Sequence, residues 1–162
     1  LGLCFQIILW DPVKEHFEEI EKYIQTQYPI LKSDCYILGS RYEQCVKQLY
    51  GIDDIAEWKV NKKLSFMNNP SHIKVITLDI FNAKFRNKTQ HKDKIISTNI
   101  EKLKREIREE HRDKIDNYFN DIIVHGGDNY EHTDHIIKVL KLYENNLETK
   151  DAKEDKNYGS IS

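Results

Sequence analysis

Between Asp121 and His135 the chain reads DIIVHGGDNYEHTDH, which gathers the residue types that phosphate chemistry uses. An imidazole titrates near neutral pH, so His125 is suited to act as a general acid, a general base or a nucleophile that carries a phosphoryl group. Asp128 is placed to orient that ring or to hold a divalent ion, of which Mg2+ is the usual companion of phosphate. Gly126 and Gly127 allow close backbone approach and can turn N–H groups toward an anion. Asn129 leads into a helix whose N-terminus carries partial positive charge. The same residues also make a plain strand-to-helix turn, with Asp128 or Asn129 as the N-cap.

Two cations elsewhere suit the same chemistry. Arg86 and Lys88 lie in NAKFRNKTQHKDK (Asn82–Lys94), which reads as a basic loop beyond a predicted strand. Arg86 offers a bidentate clamp for phosphate or carboxylate. Lys62 and Lys63 are further cations, read as solvated. His132, Asp134 and His135 add metal-ligand types, but they start a helix without a standard metal spacing, so no metal ligand set is assigned. The segment EKLKREIREEHRDK (Glu101–Lys114) alternates both signs, and Arg105 and Arg108 are read there as a salt-laced solvated face. There is no Walker loop, GxGxxG, GxSxG or paired CxxC.

These residues must be held by a framework, and the apolar patterning predicts one. LCFQIILW (Leu3–Trp10) reads as a buried strand. Asp11-Pro12 then predicts an N-cap and first helical position for a helix over 12–27. CYILG (Cys35–Gly39) predicts a short strand. Ser40 and Glu43 have capping-box spacing for a helix that ends at Gly51. A weaker helix is expected over 53–66 and a turn at NNPS (Asn68–Ser71). IKVITLDI (Ile73–Ile80) has the near-continuous apolar character of a strand covered on both faces. A long helix is expected over 99–119, then a strand over 121–124. A last helix carries Thr133, Ile136, Ile137, Leu140 and Tyr143 on one face. Alternating strands and helices argue for an α/β fold, a layered sheet of about four strands with helices packed on it and largely parallel. An α+β ferredoxin-like split βαβ arrangement is the alternative.

The stretch DIIVHGGDN resembles the active-site histidine motif of nucleoside diphosphate kinases, which runs approximately N-I-I-H-G-S-D-S. His125, Gly126 and Asp128 match it. The resemblance implies a phosphoryl-accepting role for His125 alone. It is confined to this short stretch. That family's first strand ends in Lys-Pro-Asp, whereas this chain reads LWDP (Leu9–Pro12) without a lysine at that position.

The bulk properties bound the reading. A chain of 162 residues suffices for one α/β domain over 1–144, followed by a disordered polar tail or linker over 145–162. The net charge of −2 disfavours nucleic acid as a partner. No apolar run is long enough for membrane insertion. Cys4, Cys35 and Cys45 lack CxxC spacing, which predicts reduced thiols and a cytoplasmic location. The expected function is a phosphate-handling transferase acting on a nucleotide or sugar phosphate, with a phosphorylated small molecule as partner. The alternative is a non-catalytic protein-interaction module of a larger protein, in keeping with a first residue that is not Met and with nine tyrosines as contact surface.

Overall fold

The computed structural model describes residues 3–88, 91–119 and 121–148, with nothing stated for the side chains of 88 and 91–94. Strand β1 (Leu3–Leu9) alternates its burial between two layers. Phe5, Ile7 and Leu9 enter one core; Ile8 enters the other, where Trp10 joins it just beyond the strand. A 3-10 segment (Asp11–His16) follows, then α1 (Phe17–Gln27). The single helix expected over 12–27 is therefore broken, with Val13 at φ −105° and ψ 19°. The reason is tertiary. Asp11 does not cap the helix, because its Oδ2 accepts from the backbone N–H groups of Ser71 and His72, each at 2.9 Å.

Strand β2 (Ile30–Ile37) starts earlier than CYILG suggested. Helices α2 (Tyr42–Leu49) and α3 (Glu57–Ser65) come next, then β3 (His72–Ile80). The expected capping box at Ser40 does not form a side-chain cap on α2. The basic stretch after β3, read as a loop, instead forms the hairpin β4 (Phe85–Lys88) and β5 (His91–Ser97). Phe85 packs against Phe5, with ring centroids 6.1 Å apart. Helix α4 (Thr98–His111) is capped by the Ser97 hydroxyl, which accepts from the Ile100 N–H at 3.2 Å. It is shorter than the helix expected over 99–119. Strand β6 (Val124–Gly126) and helix α5 (Tyr130–Lys141) complete the fold. Helix α5 buries Thr133, Ile136, Val139 and Leu140, while Ile137, expected inside, is exposed.

The main sheet has four strands in the order β2-β3-β1-β6, and each adjacent pair is antiparallel. The layered α/β architecture holds, but the expectation of a largely parallel sheet does not. Strands β1 and β2 do run in the same direction through the α1 crossover. Strand β3 fills the gap between them, so the ferredoxin-like split βαβ alternative is the arrangement that forms. Helices α1 and α4 cover one face through Ile20, Ile24, Leu103 and Ile107. Helices α2, α3 and α5 cover the other through Val46, Leu49, Val60 and Ile136.

The described residues also continue past the expected boundary at 144. Leu147 bridges Tyr36, and the Glu148 N–H donates to the Cys35 carbonyl at 2.8 Å. This segment covers part of the open edge of β2, where unpaired backbone groups would otherwise face solvent. The rest of the expected tail, 149–162, lies outside the described residues. Among the described residues no helix is long and apolar enough to cross a membrane.

Candidate functional site

Strand β6 fixes His125 by alternation. Val124 points into the α1/α4 layer, so His125 points to the other face. There its ring stacks on Trp10 at 6.0 Å between centroids and leans on Tyr50 at 4.7 Å. It borders a cleft of about 510 Å³ at the end of the strand. The Asp53 carboxylate, from the turn before α3, places Oδ2 3.5 Å from His125 Nε2. That oxygen is buried without a hydrogen-bond partner.

A chain of polar side chains runs from there, and the Asp128 N–H donates to His132 Nδ1 at 3.3 Å. His132 Nδ1 lies 3.8 Å from Asp53 Oδ1 and 3.9 Å from Asp128 Oδ2. Lys104 Nζ lies 3.9 Å from Asp128 Oδ1. Arg108, one helical turn further along α4, pairs with Asp121, and its Nε is buried and unpartnered. Lys63 donates to the Asp121 carbonyl at 3.3 Å. The cleft thus collects three cations, Lys63, Lys104 and Arg108, around an imidazole.

Burial sets the protonation of this cluster. It pushes His125 well below the usual imidazole value, and nearby Lys104 and Lys63 push it further the same way. Burial raises the Asp53 carboxyl, against the pull of His132. Burial lowers Lys63, which Asp121 opposes. Desolvation is the largest cause in each case, as expected for titratable groups taken out of water by burial.

The expected residues divide. His125, Gly126, Asp128 and Asn129 all line the cleft. Asn129 is the N-cap of α5, accepting from the His132 N–H at 3.1 Å, and its amide donates to the Ile95 carbonyl. Gly127 does not offer a donor to a ligand, because its N–H donates to the Gln6 carbonyl at 3.2 Å. Gly126 serves packing. A Cβ there would lie 2.8 Å from Ile100 Cγ2 and 3.2 Å from Ile7 Cδ1. Gly126→Ala should therefore cost about 1–3 kcal/mol of stability by overpacking, read from urea unfolding; no loss would show that α4 can retreat from the strand.

Arg86 is held elsewhere. It forms a two-pronged pair with Glu101 on the surface and does not line the cleft. Lys88 ends β4, and its side chain lies outside the described residues. His135 contacts the Gln48 carbonyl at 2.8 Å and Asp134 pairs with Lys138, both structural contacts. Sequence reasoning missed Asp53 and Tyr50, and set Lys63, Lys104 and Arg108 aside as surface charges. A signal for the last two existed. They sit four apart, beside the stripe Ile100, Leu103 and Ile107 that packs on the sheet.

No family model and no curated protein matches the chain. Among solved structures it is similar to the Aquifex aeolicus nucleoside diphosphate kinase, with a TM-score of 0.52 and 16% identity. The match covers 86% of this chain and 95% of that one. At that identity the likeness is one of fold.

Proposed function

We propose that this chain is a phosphoryl-transfer domain that binds a nucleotide or sugar phosphate in the cleft, with His125 as the group that accepts the phosphoryl. The observation that carries the proposal is a buried imidazole held neutral in a cleft that also presents Lys63, Lys104 and Arg108. A neutral ring is the nucleophilic form, and fixed cations stabilise the charge that develops on phosphate oxygens. The shared fold and the short HGGD resemblance point the same way.

With Asp53 favouring the proton on Nε2, the lone pair of His125 resides on Nδ1. Attack on the terminal phosphorus forms an N–P bond and breaks the P–O bond to the leaving group, which keeps the electron pair. Lys104 and Arg108 offset that charge. An acceptor oxygen then takes the phosphoryl group, losing its proton to solvent, and the neutral imidazole returns. Mg2+ suits the acidic oxygens present, and Asp128 would hold it, with Asp53 left facing His125 Nε2. Bound there, it would neutralise phosphate charge.

The test is thermal unfolding with Mg-ATP, ADP and glucose 6-phosphate, using wild type and Lys104→Met. A ligand at a hundred times its dissociation constant should add about 2.7 kcal/mol. Lys104→Met should weaken that ligand by roughly 10–100-fold, the worth of one charge-assisted contact. Stabilisation by none of the three would favour the second reading, a protein-interaction module. Tyr130 at the cleft rim, 83% exposed, and Trp58, 61% exposed, give that reading its contact surface.

A further inference from the structure

A second cluster of chemistry-bearing side chains sits away from the cleft, where α1 begins and α4 ends. His16 closes the 3-10 segment, Glu19 lies in the first turn of α1, and His111 is the last residue of α4. His16 Nδ1 is 3.3 Å from Glu19 Oε2, and the His16 and His111 rings are 5.2 Å apart between centroids. One donor atom from each residue lies within 4.8 Å of the others.

Those spacings suit a small dication. Zinc bonds nitrogen and carboxylate oxygen at about 2.0–2.2 Å in a tetrahedron, which sets ligand atoms roughly 3.4 Å apart. Two imidazoles and one carboxylate are a borderline-soft donor set that selects zinc or a neighbouring transition metal over Mg2+ or Ca2+. A separate observation points the same way. His111 is 3% exposed, and its Nδ1 is buried without a hydrogen-bond partner. A desolvated, unpaired imidazole nitrogen is unfavourable unless something engages the ring.

The surroundings supply room and potential. A cavity of about 420 Å³ is lined by Glu19 and His111 together with Glu106 and Glu110, so a fourth position can be filled by water. Lys114 Nζ sits 3.5 Å from Glu19 Oε1, the other oxygen of that carboxylate. It can stay there as an outer partner that orients the ligand while Oε2 takes the ion. Beneath the cluster, helices α1 and α4 share a core through Ile20, Leu103 and Ile107.

We propose that His16, Glu19 and His111 form a transition-metal site, with zinc as its ion, that clamps the start of α1 to the end of α4. The site is independent of the phosphate cleft, and it stands or falls separately from the reading of His125.

The experiment titrates the chelator-treated full chain with ZnCl2 by calorimetry and follows thermal unfolding. CoCl2 provides a visible spectrum that reports tetrahedral geometry. The expected result is one tight site per chain, an upward shift of Tm and a tetrahedral cobalt band. His16→Ala and Glu19→Gln should each weaken zinc by at least about tenfold and remove the cobalt band, whereas His125→Gln keeps both. His16 and Glu19 have partly exposed side chains, so these variants retain the core. Absence of tight zinc binding in the wild type overturns the proposal. So does binding that survives His16→Ala and Glu19→Gln, or binding that His125→Gln removes.

Discussion

Asp11→Ala should destabilise the protein by about 2–5 kcal/mol, measured as the change in urea unfolding free energy. Asp11 is 5% exposed and its Oδ2 accepts from two backbone donors, Ser71 N–H and His72 N–H, both at 2.9 Å. Alanine leaves those two groups without an acceptor, at roughly 1–3 kcal/mol each. The more exposed partners, Lys14 at 4.0 Å and His72 Nδ1 at 3.9 Å, add little, since screened pairs of that kind are worth under about 1 kcal/mol. Asp11→Asn keeps an acceptor oxygen and should lose much less. Equal losses in the two variants would mean that charge, not the pair of backbone bonds, is what matters. A loss under about 1 kcal/mol in Asp11→Ala would show that water can replace the carboxylate, against its burial.

The same residue shows where local reasoning ran out. Asp-Pro after an apolar run is a sound helix-start signal, and a helix does follow. Yet the carboxylate is claimed by a turn far along the chain, a contact that local spacing cannot express. Strands β1 and β3 were legible because both lie inside a sheet covered on two faces, so nearly every position is apolar. Their pairing was not legible, since alternation of elements is the same for a parallel sheet and for a split βαβ. The hairpin β4–β5 hid in polar residues, and the half-exposed Phe85 packs on buried Phe5. Leu147 docks a segment whose composition reads as solvated. In the cleft, His125 stood out because an apolar run ends on a titratable ring. Lys104 and Arg108 did not, because in a helix dense with both signs only packing against β6 separates two cations from their neighbours. Arg86 had the right chemistry and a nearer partner, Glu101.

His125→Gln should abolish transfer of a labelled terminal phosphate to the chain, a loss on the order of 10⁴–10⁶-fold for removal of an attacking group. The variant should also change how stability responds to acid. Burial holds the folded-state pKa of His125 well below the value of about 6.5 that the unfolded chain has. Above that pH both states carry a neutral ring, and the stabilising contribution is complete. As the pH falls from there through the folded value, the unfolded state binds the proton first, so stability declines. His111 is lowered by burial too and acts in the same direction, but it is present in both proteins. The difference between wild type and His125→Gln therefore isolates one ring. Urea unfolding at pH 7.5 and pH 5.5 should show a smaller acid loss in the variant. For the same reason wild-type transfer should persist below pH 6.5, where an ordinary exposed histidine is mostly protonated and no longer nucleophilic. A label that survives in His125→Gln would move the acceptor elsewhere. Identical acid losses in the two proteins would mean that the ring is hydrated in solution, and transfer should then fade below about pH 6.5 as for an ordinary histidine.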